Sequence, residues 1–320
     1  MRLSVVIPVF NEEESLDLLF TSLYDALEAL PFDWQIVFVD DGSHDDSLSI
    51  LEKYAVADTG HIVVVAFRRN FGQTAAIAAG IDHAEGEIIV LMDADMQNDP
   101  ADIPMMLEKI GEGYDVVSGW RYKRQDSFSR RLPSQVANGL ISRVTGVYLH
   151  DYGCTLKAYR REILTDFRLY GEMHRFIPAY AGSVGAKILE VPVQHHPRRY
   201  GKAKYGLERT LKVMLDLVTV KFLISYSQKP IYLFGGVGLS LSGISTALLF
   251  FLIIRRVWVG TNVLDSPFFL TAIMLMIMGF QSILMGLIAE LLVRTYHEAQ
   301  SKPTYTLRRV INRRLEEQSG

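Results

Sequence analysis

Carboxylates and amides collect at three places in this chain, each directly after a short apolar run. Asn11 and Glu12 follow Leu3–Val9, Asp40 and Asp41 follow Gln35–Val39, and Asp93 and Asp95 follow Ile88–Met92. Two carboxylates at i and i+2 can bracket a divalent cation that also touches a diphosphate. Hard oxygen donors of this kind suit Mg2+ or Mn2+. Such a cation neutralises charge on a departing nucleoside diphosphate. Asp-x-Asp alone is a common surface pattern. Here an apolar run leads into it and Met96-Gln97-Asn98-Asp99-Pro100 leads out, which sets it at a strand end. Asp40-Asp41-Gly42-Ser43 can accept hydrogen bonds from a base or ribose, or can be a turn with a permissive glycine. Glu12 and Glu13 have a similar alternative as first-turn helix charges. Cations stand further on: Arg121, Lys123, Arg124, Arg130 and Arg131, then His195-His196-Pro197-Arg198-Arg199-Tyr200-Gly201-Lys202-Ala203-Lys204. Guanidinium and ammonium groups hold phosphates through charge-assisted hydrogen bonds.

The elements that must position these groups alternate along the first 120 residues. β-rich runs at Leu3–Val9, Gln35–Val39, Ile62–Phe67, Ile88–Met92 and Asp115–Val117 are separated by helical-period stretches. Those stretches are Glu14–Leu30, Asp46–Ala55, Gln73–His83 and Asp102–Glu112. Several strands are apolar on both faces, as in a parallel sheet covered on each side. This predicts a doubly wound α/β domain. Ligands of such sheets sit beyond the carboxyl ends of the strands, where the polar pairs stand. Residues 121–206 read as less regular, with a helix over Ser134–Thr145, and the domain is expected to span 1–206.

Hydrophobic residues make up 49% of the 320, which is high for a soluble enzyme. Ile231–Ile254 and Pro267–Ala289 run 24 and 23 residues without a charge. Each exceeds the ~30 Å hydrocarbon core at about 1.5 Å per residue, so two transmembrane helices are expected within 230–294. An amphipathic juxtamembrane helix is expected over 207–229, with Leu211, Leu215, Val218 and Phe222 on one face. Residues 295–320 read as a basic tail. Lys212, Lys221, Lys229, Arg294, Lys302, Arg308, Arg309, Arg313 and Arg314 flank the pair, whereas the connecting loop holds Arg255 and Arg256. By the positive-inside rule the large domain and both termini are cytoplasmic, placing the protein in the cell's inner membrane. Gly235, Gly236, Gly238, Ser242 and Gly243 allow close helix packing and favour a homo-oligomer. Glu290 and Arg294 can pair at the end of the second span. The first apolar run is too short for a signal peptide and is expected to be a strand. A net charge of -3 gives no basic surface for nucleic acid. The single cysteine, Cys154, allows neither an internal disulfide nor a cysteine zinc site.

Four motifs occur in order: Val5-Val6-Ile7-Pro8-Val9-Phe10-Asn11-Glu12, Val39-Asp40-Asp41-Gly42-Ser43, Arg68-Arg69-Asn70-Phe71-Gly72 and Met92-Asp93-Ala94-Asp95-Met96-Gln97. Together they resemble the family 2 glycosyltransferases of GT-A fold. The likeness extends to dolichol-phosphate mannose synthases and, through the paired spans, to bactoprenol glucosyltransferases. The resemblance implies a nucleotide-sugar donor, a divalent metal, and inverting transfer to polyisoprenyl phosphate among membrane lipids. It implies that Pro8, Asn11, Glu12, Asp40 and Asp41 line the nucleotide pocket. Asp93, Asp95 and Gln97 would hold metal and diphosphate. Gly119-Trp120-Arg121 resembles the family's Gly-x-Arg, with Arg121 on phosphate. Asp151-Tyr152-Gly153-Cys154 resembles a second acidic motif, with Asp151 near the acceptor. Asp151, Asp95 and Arg121 are thus the expected catalytic set. The run ending in Lys204 resembles an Arg-x-x-Gly-x-Ser-Lys pattern, with Arg199 and Lys204 as its phosphate-binding pair and Ala203 in place of serine. Glucose from UDP-glucose is the expected donor, with mannose or an aminoarabinose-type sugar as the alternative.

Rival classes fit less well. A processive polysaccharide synthase would carry Gln-x-x-Arg-Trp and more spans. A nicotinamide dehydrogenase would need G-x-G-x-x-G after the first strand, where Pro8-Val9-Phe10-Asn11 stands. A membrane scaffold without activity gives no reason for Asp93, Asp95, Arg121 and Asp151 together.

Overall fold

The computed structural model describes residues 2–122, 138–165, 173–197, 222, 230–260, 262–264, 266–299 and 306–312. The expected amphipathic helix over 207–229 lies outside them except for Phe222, as do Arg199 and Lys204. Two compact units emerge: Met1–Val220 with Pro303–Gly320, and Lys221–Lys302.

In the first unit, alternation of apolar strands and amphipathic helices gives β1 (Arg2–Val9), α1 (Leu16–Leu27), β2 (Asp33–Asp40), α2 (Ser47–Ala57), β3 (Ile62–Phe67), α3 (Gln73–His83) and β4 (Ile88–Leu91). A 3₁₀ turn at Pro100–Asp102 leads into α4 (Ile103–Gly111), then β5 (Val116–Trp120) and a helix over 138–145, α5. After these come β6 (Lys157–Arg160), α6 (Arg161–Thr165), α7 (Ile177–Ser183) and β7 (Ile188–Pro192). The sheet order is β7-β5-β6-β4-β1-β2-β3-β8, with β8 at Leu307–Ile311. β2 and β4 both pair with β1 in parallel, on opposite sides. The winding therefore reverses at β1 and β4, and the crevice at their carboxyl ends is where such sheets bind ligands. The doubly wound, mostly parallel α/β fold is as predicted. β6, antiparallel between β4 and β5, and the edge strand β7 were not foreseen in the region read as irregular.

Core packing follows the sequence periodicities. Leu16, Leu19, Phe20, Leu23 and Leu27 line one face of α1 and are buried. Each contributes about 1.5–3 kcal/mol by leaving water. α3 lies unusually close to β1, because Gly80 faces it: a Cβ there would stand 2.2 Å from Val6 Cγ1. That approach places the N-terminus of α3 at the crevice.

The last strand corrects the reading of 295–320 as a plain basic tail. Residues up to Ala299 continue a helix, and Leu307–Ile311 pair antiparallel with β3. Arg309 pairs with Glu52, and the Asn312 amide donates to the carbonyls of Ala55 and Ile62. An uncovered β3 edge would present unpaired amides and carbonyls. Deletion of 303–320 should therefore lower the melting temperature by several degrees and promote aggregation. Melting and light scattering check this; a truncated chain that matches the full one on both would contradict it.

The second unit contains α8 (Ile231–Val259) and α9 (Pro267–Ala299). Both are long and apolar enough to cross a membrane, and only 17% of each apolar window is buried. Outward faces this apolar need lipid. Small residues let the helices meet: a Cβ on Gly238 would stand 2.6 Å from the Gly279 carbonyl oxygen, and one on Gly279 would stand 2.5 Å from Ser242 Oγ. Ser245 Oγ donates to the Ala272 carbonyl at 2.6 Å and Ser282 Oγ to that of Phe234 at 2.8 Å. Part of the small-residue face expected to join copies is thus used inside one chain. Gly236 and Gly243, where a Cβ would meet nothing, remain outward.

Candidate active site

At the end of β1, Asn11 adopts φ 52°, a left-handed conformation that asparagine tolerates better than most residues. Its N–H donates to Ser43 Oγ at 3.0 Å, and its Oδ1 accepts the His44 N–H at 2.8 Å. The Glu12 N–H donates to Ser47 Oγ at 2.9 Å. The Glu12 carboxylate accepts from Ser15 Oγ at 3.1 Å, close to the start of α1. Pro8 sits beside Val39, and Val9 beside Asp40, in the parallel register. The loops after β1 and β2 are therefore laced together, bringing Pro8, Asn11, Glu12, Asp40 and Asp41 to one end of the sheet.

The two aspartates after β2 differ. Asp40 accepts the Ser43 N–H at 3.3 Å, and burial raises its pKa. Asp41 receives the N–H groups of Phe71 at 2.7 Å and Gly72 at 2.9 Å, one on each oxygen. Burial pushes its carboxyl up to about 6, against those two hydrogen bonds. Asp41 thus clasps the loop that starts α3, a structural use the sequence did not reveal. Gly42 has φ +71°, and a Cβ there would lie 2.5 Å from the carbonyl carbon of Arg69. Gly42→Ala should therefore push the 69–72 loop outward, costing about 1–2 kcal/mol in the left-handed backbone alone. We expect a lower melting temperature and weaker nucleotide binding. Calorimetry with UDP checks it, and unchanged affinity would count against the clasp.

The clasp leads to the acidic motif. Gln73, the first residue of α3, donates Nε2 to Asp93 Oδ1 at 2.7 Å. Asp93 Oδ2 accepts from Thr155 Oγ1 at 2.8 Å, and Thr155 also accepts from Asn98 Nδ2 at 2.9 Å. Burial and the neighbouring Asp95 carboxylate raise the pKa of Asp93, opposed by Thr155, Arg121 and Arg175. Asp95 is 8% exposed and accepts the Gln97 N–H at 3.2 Å. The Gln97 carbonyl accepts the His196 N–H at 2.9 Å, and His196 Nε2 meets Asp99 Oδ2 at 3.0 Å. Asp102 Oδ2 accepts the Gln194 N–H at 2.7 Å. These bonds hold residues 194–196 beside the acidic motif, just before the basic run containing Arg199 and Lys204.

Arg121 follows β5 and grips Asp151 with both arms: Nε to Oδ2 at 2.6 Å and Nη2 to Oδ1 at 2.9 Å. The Gly153 N–H also donates to Asp151 Oδ1, at 3.1 Å. Glu190 on β7 receives the backbone N–H of His150 at 3.0 Å and of Asp151 at 2.9 Å. Trp120 stacks on His150 with centroids 4.3 Å apart. Asp151 is thus the buried counter-ion of Arg121.

Among the described residues no three carboxylate, histidine or cysteine side chains form a metal cluster. Two carboxylates, Asp93 and Asp95, suit a cation that takes its remaining oxygens from substrate phosphates and water, the usual arrangement for Mg2+ and similar ions. Gln73, Thr155 and the buried Lys157 were not anticipated. Lys157 carried little signal, because Arg160 and Arg161 follow it closely in a stretch read as irregular.

The chain matches the model of glycosyl transferase family 2 over residues 4–168, and it belongs to that family. It is 41% identical over 316 residues to a dodecaprenyl-phosphate galacturonate synthase of Rhizobium johnstonii, covering 98% of this chain and 94% of the relative. It is 40% identical to an undecaprenyl-phosphate 4-deoxy-4-formamido-L-arabinose transferase of Enterobacter sp., covering 98% and 94%. The catalytic fold is similar to glucosyl-3-phosphoglycerate synthase of Mycobacterium tuberculosis, solved with Mn2+, UDP and phosphoglyceric acid. That likeness has a TM-score of 0.54 at 19% identity and covers 70% of this chain and 78% of that one. The chain is thus a glycosyltransferase of GT-A-like fold and a membrane protein. The expected glucose finds no support in these two relatives, whose sugars are galacturonate and a formamido-arabinose.

Proposed function

We propose that this chain transfers a galacturonate-class sugar from a UDP donor to a polyprenyl phosphate at the cytoplasmic face of the membrane. The observation that carries the reading is the pair Asp93 and Asp95 at the β1/β4 reversal, with Asp93 held by Gln73 and Thr155. Galacturonate ranks above glucose because a relative 41% identical over nearly the whole chain bears that sugar in its name. The formamido-arabinose of the second relative is the alternative. Cytoplasmic orientation rests on the basic flanks of the two apolar helices.

The acceptor phosphate has a second pKa near ~6, so its oxygen is largely ionised at neutral pH and attacks without a strong base. Its oxygen forms a bond to the anomeric carbon while the bond from that carbon to the diphosphate oxygen breaks. One displacement inverts the anomeric configuration. A divalent cation, Mg2+ or Mn2+, bound by Asp93 and Asp95 would neutralise charge on the diphosphate. Gln73 and Thr155 hold Asp93 in place, and Asp151 holds the Arg121 guanidinium ready for a phosphate. Arg199 and Lys204 would supply further cations for the acceptor. Pro8, Asn11, Glu12 and Asp40 would receive the nucleoside.

The test is incubation of the purified full chain with polyprenyl phosphate and UDP-galacturonate, the UDP-formamido-arabinose, UDP-glucose or GDP-mannose. Mass spectrometry should find the uronate lipid first, and NMR should find inversion. Preference for another sugar would overturn the donor, and a retained configuration would overturn the single displacement.

A further inference from the structure

Lys157 begins β6, between Leu91 of β4 and Ser118 of β5. Those two strands run on to Asp93 and to Arg121. The residue is 3% exposed, and its Nζ donates to the backbone carbonyls of Tyr152, at 3.1 Å, and Cys154. An ammonium removed from water is costly unless its hydrogens are satisfied. Burial pushes its pKa down to about 8, opposed by Cys154 and Asp151. Nothing in the transfer reaction above uses this group.

The two carbonyls lie in the short stretch between Asp151 and Thr155. Asp151 is the bidentate partner of Arg121, and Thr155 donates to Asp93. One segment therefore serves both halves of the site, the phosphate-facing arginine and the acidic motif. The stretch is neither helix nor strand. Its backbone lacks a ladder to fix it, and a buried cation bonded to two of its carbonyls can do so. We propose that Lys157 is a positioning residue, whose ammonium holds residues 151–155 so that Asp151 meets Arg121 and Thr155 meets Asp93 at the same time. The proposal rests on the transferase reading of the site.

The experiment uses the full-length chain and three variants: Lys157→Met, which keeps length but loses charge and donors, Lys157→Arg, which keeps both, and Asp151→Asn. Melting temperature, kcat, KM for the donor and the Kd for UDP with Mn2+ are measured for each, and for the double variant Lys157→Met/Asp151→Asn. Lys157→Met should fold and lose about 100-fold in kcat, the size of effect that a displacement near 1 Å can produce. Its Kd should move less than kcat, because Gln73 still holds Asp93 and the nucleoside end lies on β1 and β2. The double variant should be no worse than the poorer single one, since both act through one loop. Lys157→Arg should recover most of the turnover. Unchanged kcat in Lys157→Met, full additivity in the double variant, or a folded but equally inactive Lys157→Arg would overturn the proposal. Should Lys157→Met not fold, the turnover of Lys157→Arg decides. Failure of both to fold also overturns it, because a strut confined to one loop leaves the sheet intact. A wild-type chain that transfers no sugar would instead sink the transferase reading.

Discussion

Asp95→Asn is expected to lower transfer by about 10³-fold, the scale seen when one stabiliser of developing charge is removed from an active site. The substitution keeps the size of the side chain and an oxygen to accept the Gln97 N–H, so the loop after β4 should hold its shape. In the proposed reaction the lost charge is one of the two carboxylates, Asp93 and Asp95, that would hold a divalent cation against the diphosphate. Without it, charge building on the leaving group is poorly compensated. The melting temperature should stay within a few degrees of wild type, while the isotherm for Mn2+ with UDP weakens. A variant with near-normal turnover would remove the metal role from this motif.

The second large effect is expected at the Arg121–Asp151 pair. Their side chains are 13% and 6% exposed, and two parallel hydrogen bonds join them. Removing one partner of such a buried pair strands the other charge and typically costs about 3–5 kcal/mol. Arg121→Met should therefore lower stability as well as activity. Arg121→Lys should not restore activity, because an ammonium cannot reproduce the planar two-bond fork. Asp151→Asn should lower kcat by about 100-fold through loss of guanidinium alignment. If Asp151 were instead a general base, the wild-type rate would follow its titration. With an ionised phosphate as nucleophile, the rate should follow the acceptor's second ionisation. The pH profile of the wild-type enzyme against acceptors of different phosphate pKa separates the two.

Most of the sheet was legible because it is written locally. Leu3–Val9 and Ile62–Phe67 are apolar on both faces, and only a covered parallel strand needs that. The acidic pairs were legible because fold rules put ligands at carboxyl ends, and Asn11, Asp40 and Asp93 all stand there. What stayed hidden depends on distant partners. That Asp41 receives the N–H groups of Phe71 and Gly72 is one such case, since those donors stand about 30 residues further along the chain. The grip of Arg121 on Asp151 is another, because the two stand 30 residues apart in the sequence. Leu307–Ile311 holds two adjacent arginines, as any charged tail could, and only its pairing with β3 makes it a strand. The sugar is set by contacts that no single motif records, and the glucose suggested by the resemblance finds no support in the two relatives, whose names carry other sugars.

That last strand also sets the order in which the molecule can be finished. Arg68 and Leu307, hydrogen-bonded through Nε and carbonyl, are 239 residues apart. A ribosome that has made β1 to β7 has not yet made the strand that seals β3. Synthesis must first pass through both apolar helices, and loop closure over such a separation is slow. The nascent sheet thus waits with an open edge, a state prone to pairing with another chain. Completion of the catalytic unit becomes contingent on synthesis beyond the membrane segment. A product arrested within α8 or α9 would lack β8 and leave the β3 edge uncovered.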